Sequence, residues 1–152
     1  MKINSFIIVL FLCIFCSCSD HSTDRQKRLA ECVDSFSTSY FNYQFEQARR
    51  FVTPDSEKWL QLAASNVLKE DIDVLLQQEE GATIEIEDFQ MSDADSVATV
   101  RVKVNHYLPL HKIGIPAVMR DEDIFHLNAV ESNGIWKIRM ATLPRSEKRS
   151  HD

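Results

Sequence analysis

The sequence predicts an α+β domain, with amino-terminal helices packed on one face of a curved antiparallel four-stranded meander. Three observations lead there. Apolar residues recur three and four apart through the first half of the chain, as on one face of a helix. After Gly81 they alternate with polar residues, as in half-buried strands. The alternating stretches are separated by short turn-forming segments, so the strands follow one another after the helices rather than interleaving with them, which is the α+β order.

The elements follow in sequence. Thr23 and Gln26 match a capping box, in which a hydroxyl and an amide three residues apart satisfy free amides at a helix start. Leu29, Cys32, Val33, Phe36 and Tyr40 then form one apolar stripe, with Arg28, Glu31 and Asp34 between them. A break near Asn42 separates this helix from a short second one carrying Phe45, Ala48 and Phe51. In "TPDSEKW", Thr53 suits a cap and Pro54 the first turn, while Asp55 and Glu57 complement the positive end of the helix dipole. Trp59, Leu60, Ala63, Val67 and Leu68 form the buried stripe of that third helix. A turn or kink near Lys69 leads to Ile72, Leu75 and Leu76, and Gly81 is expected to end the segment as a left-handed cap.

"ATIEIEDFQM" alternates through Ile84 and Ile86 and then changes phase to Phe89 and Met91, which predicts a bulge near Glu87 or Asp88. "SDADS" makes a turn into "VATVRVKVNHYL", where Val100, Val102 and Val104 face the core together. By the same alternation His106 shares that face, and Asp123 shares the phase of Phe125, Leu127 and Ala129. Asn133-Gly134 signals a tight hairpin into "IWKIRM", with Trp136, Ile138 and Met140 inward. On the opposite side, Glu85 and Glu87 can meet Arg101, Lys103, Lys137 or Arg139 across strands.

The amino-terminal end carries an address. One early charge, Lys2, precedes an apolar run over residues 6–16, too short for a membrane span of roughly 20 residues. This is the layout of a secretory signal peptide. Ser17-Cys18 resembles the lipobox of bacterial lipoproteins, in which the signal is cut before a cysteine whose thiol carries the lipid. Phe15 and Cys16 stand where that family prefers Leu and a small residue, and Cys16 is the weaker acceptor. The resemblance implies a signal peptide over 1–17 and a lipidated tether over 18–26; the domain is then expected over 27–143, and "PRSEKRSHD", with no apolar residue after Leu143 except its proline, reads as a flexible tail over 144–152. It also implies anchoring at Cys18 in the cell envelope, with Ser19 resembling the outer-membrane pattern. Cys32 is then the remaining thiol, and its place on an apolar stripe makes it a small core residue.

The helix-then-meander order, with "FNYQFEQARRFVTPDS" after the first helix, resembles the nuclear transport factor 2-like superfamily. These cone-shaped, cystatin-like domains include ketosteroid isomerase, scytalone dehydratase, polyketide cyclases and many small bacterial lipoproteins. The segment from Phe45 to Pro54 resembles the lipoproteins most closely. The resemblance spans residues 26–142 and implies a cone whose interior, in the enzymes, holds an acid–base group. In this chain Tyr40, His106 and Asp123 are the residues expected there, with Tyr43 one turn beyond Tyr40. A carboxylate desolvated beside a histidine can shuttle protons. The bland alternatives are a rim histidine and a solvated turn at "RDED", and no catalytic residue of those enzymes transfers to a position here.

Other chemistry is excluded or thinly supported. A formal charge of −6 without a basic stripe argues against nucleic acid. His106 and His111 lack a third ligand at zinc spacing, and Asp93 and Asp95 are too few oxygens for calcium, so no metal and no cofactor are expected. No Gly-rich phosphate loop, HExxH or GxSxG is present. The connection "PLHKIGIPAVMR" is apolar for a surface loop. It either seals the open end of the cone or serves as a lid or docking patch, with Ile113, Ile115 and Met119 as the contact residues. The expected function is a non-catalytic ligand-binding or protein-interaction role in an anchored envelope protein. A small-molecule enzyme of isomerase, dehydratase or cyclase type is the alternative. Beyond the membrane, the expected partners are an envelope protein, a second copy of the chain, or a small apolar ligand.

Overall fold

The computed structural model describes residues 20–92, 96–110 and 114–147. Helices α1 (Asp20–Phe41), α2 (Phe45–Ala48), α3 (Glu57–Ser65) and α4 (Lys69–Leu76) precede strands β1 (Thr83–Met91), β2 (Val97–Tyr107), β3 (Arg120–Ser132) and β4 (Ile135–Arg139). The strands form one antiparallel sheet in the order β1-β2-β3-β4. The expected α+β class and meander are therefore present.

Helix α1 crosses one face of the sheet and touches all four strands. Its stripe at Leu29, Cys32, Val33, Phe36 and Tyr40 is buried, and it meets Val100, Val102, Val104, Phe125, Leu127, Ala129, Trp136 and Ile138 from the sheet. Two faces with periods of 3.6 and 2 thus supply one shared core. The helix begins at Asp20, earlier than the Thr23 cap predicts, and most of the expected tether is its first turns. Arg25, within that segment, pairs with Glu131 on β3, with its Nε 2.6 Å from Oε2, and its guanidinium lies 5.8 Å from the centroid of the Trp136 ring.

The bulge in β1 falls where the phase change places it: the register slips between Ile86 and Asp88, leaving Glu87 as the extra residue. Asn133 and Gly134 both have positive φ, 52° and 78°, the left-handed pair that a tight hairpin of matching twist needs. Glu85 pairs with Lys103, and Glu87 with Arg101, on the solvent side of the sheet.

Gly81 departs from expectation. Helix α4 has already ended at Leu76, and Gly81 does not have a left-handed φ. Its role is close approach. The Asn42 side chain accepts from the Ala82 N–H at 2.8 Å and donates to the Ala82 carbonyl at 3.1 Å, and a Cβ on Gly81 would collide with Asn42 Oδ1. The stripe of α4 also differs, since Ile72 and Leu76 are 47% and 79% exposed. Its buried residue is Asp71, whose carboxylate accepts from Leu68 N–H at 2.9 Å and Ala117 N–H at 2.8 Å. One oxygen caps α4 while the other ties down the β2–β3 connection.

The final residues correct a second boundary. Residues 144–147 are docked, not free. Ser146 is buried and forms a bridge with Phe125 on β3, and Glu147 reaches Arg101 and His126 on the outer face of the sheet. The rest of the expected tail lies outside the described residues. The outer edge of β4 is covered by a parallel bridge between Val52 and Ile138 and by Thr53 N–H donating to the Ile138 carbonyl at 2.9 Å.

Candidate functional site

A cavity of about 740 Å³ opens where the carboxyl end of α1, helix α3, the ends of β2 and β3 and the carboxyl-terminal segment converge. Aromatic rings make much of its wall: Tyr40, Phe41, Tyr43, Trp59, Tyr107 and Phe125. They lock one another in place. Phe41 packs 4.7 Å from Phe125 and 5.6 Å from Tyr107, centroid to centroid, and Tyr40 stacks on Phe36 at 5.5 Å. Edge and offset contacts of this kind stabilise a rigid wall beyond the area they bury.

The backbone aims two of these rings through left-handed residues. Tyr43, at φ 63°, turns the chain sharply after α1 and donates its hydroxyl to the Leu108 carbonyl at 3.1 Å. His106, at φ 51°, is the second. It breaks the alternation of β2, so the imidazole is exposed and the next residue, Tyr107, is buried opposite Arg120. The expectation that His106 shares the inward face of Val104 is therefore corrected. Period-two reasoning assumes every residue is extended, and a single positive φ re-aims all that follows.

Asp123 is inward as its phase predicts, buried and accepting a hydrogen bond from the Tyr107 hydroxyl at 2.7 Å. The group set against it is thus a tyrosine and not His106. Tyr40 lies in the wall as expected, 4% exposed, and among the described residues its hydroxyl has no hydrogen-bond partner. Burial, with Tyr43 nearby, pushes the Tyr40 phenol above its ordinary pKa; burial and the Asp71 carboxylate do the same to Tyr43. Both are neutral O–H donors at physiological pH. Cys32, on the other side of the core, has its thiol pushed up to about 11 by burial, against an opposing effect of Lys137. It is a core residue and not a nucleophile.

The β2–β3 connection divides into two parts. Leu108, Pro109 and Leu110 line the cavity. Ile115 and Val118 are 57% and 75% exposed and do not line it. Met119 is half-buried with its sulfur 3.1 Å from Gln78 Nε2, and Ile113 lies outside the described residues. Sequence reasoning missed Trp59, Tyr107, Arg120, Leu143 and Arg145 as wall residues. No local pattern marks them, because they meet only when the helices and the last segment close over the strand ends. Among the described residues no group of three His, Cys, Asp or Glu is placed to hold a metal ion.

The carboxyl-terminal segment forms one wall of the cavity through residues 142–146 and is pinned at Glu147. The Glu147 carboxylate lies 3.0 Å from Arg101 Nε and 2.7 Å from His126 Nε2, and these bonds, Arg101 first, hold its pKa below the ordinary value. A carboxyl so lowered stabilises the docked segment above its unfolded pKa and ceases to do so as pH falls through its folded pKa. Acidification below the ordinary glutamate value should therefore release residues 144–147 before the sheet unfolds, seen as faster amide exchange at Ser146. Glu147→Gln should show that faster exchange already at neutral pH; unchanged exchange in both cases would mean the bridge to Phe125 holds the segment alone.

No protein-family model matches the chain, and no curated protein matches it. Solved structures of similar fold exist at low identity. A variant of Rv3472, a protein of unknown function from Mycobacterium tuberculosis, is 12% identical, with a TM-score of 0.47 over 84% of this chain and 75% of that one. TraE, solved in complex with 2-(2-furyl)isonicotinic acid, is 13% identical, with a TM-score of 0.45 over 82% and 95%. The intermembrane space region of the chloroplast protein ARC6 is 12% identical, with a TM-score of 0.46 over 81% and 94%. These are likenesses of fold, and nothing about activity or ligand follows from them.

Proposed function

We propose that this is a lipid-anchored envelope protein of the nuclear transport factor 2-like superfamily that binds a small, mostly apolar ligand without acting on it. The observation that carries the binding role is the 740 Å³ aromatic cavity, well above the roughly 300 Å³ at which ligand sites begin. A pure interaction module would pack that space with side chains. The enzyme alternative is weaker because its proton-shuttling pair is not assembled: His106 is exposed, and Asp123 is bonded to the Tyr107 hydroxyl. Ile115 and Met119 are then surface residues of the connection, and Tyr40 is the ligand-contact residue carried forward from the sequence.

The anchoring part rests on the residues before α1. Cys18 and the apolar run lie outside the described residues, and among the described ones no helix is long and apolar enough to cross a membrane. With α1 starting at Asp20, a lipid on Cys18 would hold the domain close against the bilayer.

Among the described residues the buried core falls within residues 29–146, so the chain lacking its first 19 residues is suited to a binding test. The neutral probe N-phenyl-1-naphthylamine should show saturable fluorescence enhancement with it. Leu143→Trp, which places an indole in the cavity, should weaken that binding by about tenfold or more while leaving the far-ultraviolet spectrum unchanged. An unsaturable signal, or one indifferent to Leu143→Trp in the folded protein, would refute the binding role.

A further inference from the structure

We infer that the cavity selects an apolar acid: a small molecule whose body lies among the aromatic rings and whose negative charge is held by Arg120 and Arg145. This rests on the ligand-binding reading and adds the ligand's charge class to it.

The chain carries 23 acidic and 17 basic side chains, yet the described residues lining the cavity include two arginines and no carboxylate. The two cations come from different elements. Arg120 opens β3 and stands opposite Tyr107. Arg145 is positioned by its neighbour Ser146, which bridges to Phe125. Both backbones are therefore fixed by the sheet.

Four arginines elsewhere, Arg25, Arg28, Arg49 and Arg101, each meet a carboxylate, whereas Arg50 and Arg139 do not and stand outside the cavity. Among the described residues Arg120 and Arg145 meet none. A guanidinium keeps its charge at any physiological pH and offers a planar fork of donors that fits a carboxylate or sulfonate. Beside an apolar wall that attraction is stronger than in open water. The hydroxyl of Tyr40, a residue of the cavity wall, can donate to an oxygen on the ligand body.

Two probes that share one aromatic frame test this. N-phenyl-1-naphthylamine is neutral, and 8-anilinonaphthalene-1-sulfonate adds an anion. The sulfonate should bind at least about tenfold tighter to the chain lacking residues 1–19. Arg120→Gln and Arg145→Gln should each weaken the sulfonate by about tenfold and leave the neutral probe within about twofold, with thermal melting unchanged, as suits exposed side chains. Equal affinity for the two probes, or variants that shift both equally, would overturn the anion preference while leaving the cavity reading standing. Failure of both probes to bind the folded chain would remove the cavity reading and this inference with it.

Discussion

Replacing Asp71 with alanine should destabilise the domain by about 3 kcal/mol and lower its melting temperature by about 10 °C. The carboxylate is 2% exposed and accepts two backbone N–H groups, from Leu68 at the start of α4 and from Ala117 in the β2–β3 connection. Removing it takes away the side-chain cap of α4 and leaves a connection amide without its acceptor. Amide exchange should accelerate at Leu68 and Ala117 while the β2–β3 ladder stays protected until global unfolding. Asp71→Asn keeps one carbonyl acceptor and should cost less, about half. A melting temperature within about 2 °C of the parent for Asp71→Ala would show that the α4 start and the connection are held by packing instead.

Changing Cys18 to alanine should abolish incorporation of labelled palmitate and move the protein from the membrane fraction to the soluble one. The effect should be all-or-none, because an acidic domain gains no electrostatic attraction to anionic lipid, so the acyl group would supply the whole affinity. Cys16→Ala should leave labelling intact, since Phe15 is a poor residue before a cleavage site. Persistent labelling of Cys18→Ala, or membrane retention without label, would defeat the anchor. The same variant gives the N-phenyl-1-naphthylamine measurement an internal control, because ligand binding should be indifferent to the anchor.

The cavity and the anchor are encoded in opposite ways. The proposed anchor is written in a local run of residues and needs no fold to be read. The cavity has no local signature at all, and each of its walls is a different element.

That division holds through the molecule. Local sequence dictates what depends on periodicity and on near neighbours: the stripe of α1 from Leu29 to Tyr40, the inward valines of β2, the bulge at Glu87 and the Asn133-Gly134 turn. Those are set by side-chain spacing and by φ preferences, which act over a few residues. Contacts between distant segments settle which end of the sheet stays open, that Asp71 rather than Ile72 is the buried residue of α4, and that residues 144–147 return to close a wall. They also settle that Tyr107 rather than His106 faces the core. A left-handed backbone at a histidine costs energy that only packing around it can offset, and burial of Tyr107 against Phe41, Phe125 and Asp123 does so. Alternation in a sequence cannot report such a balance, because both of its sides are made by residues far away along the chain.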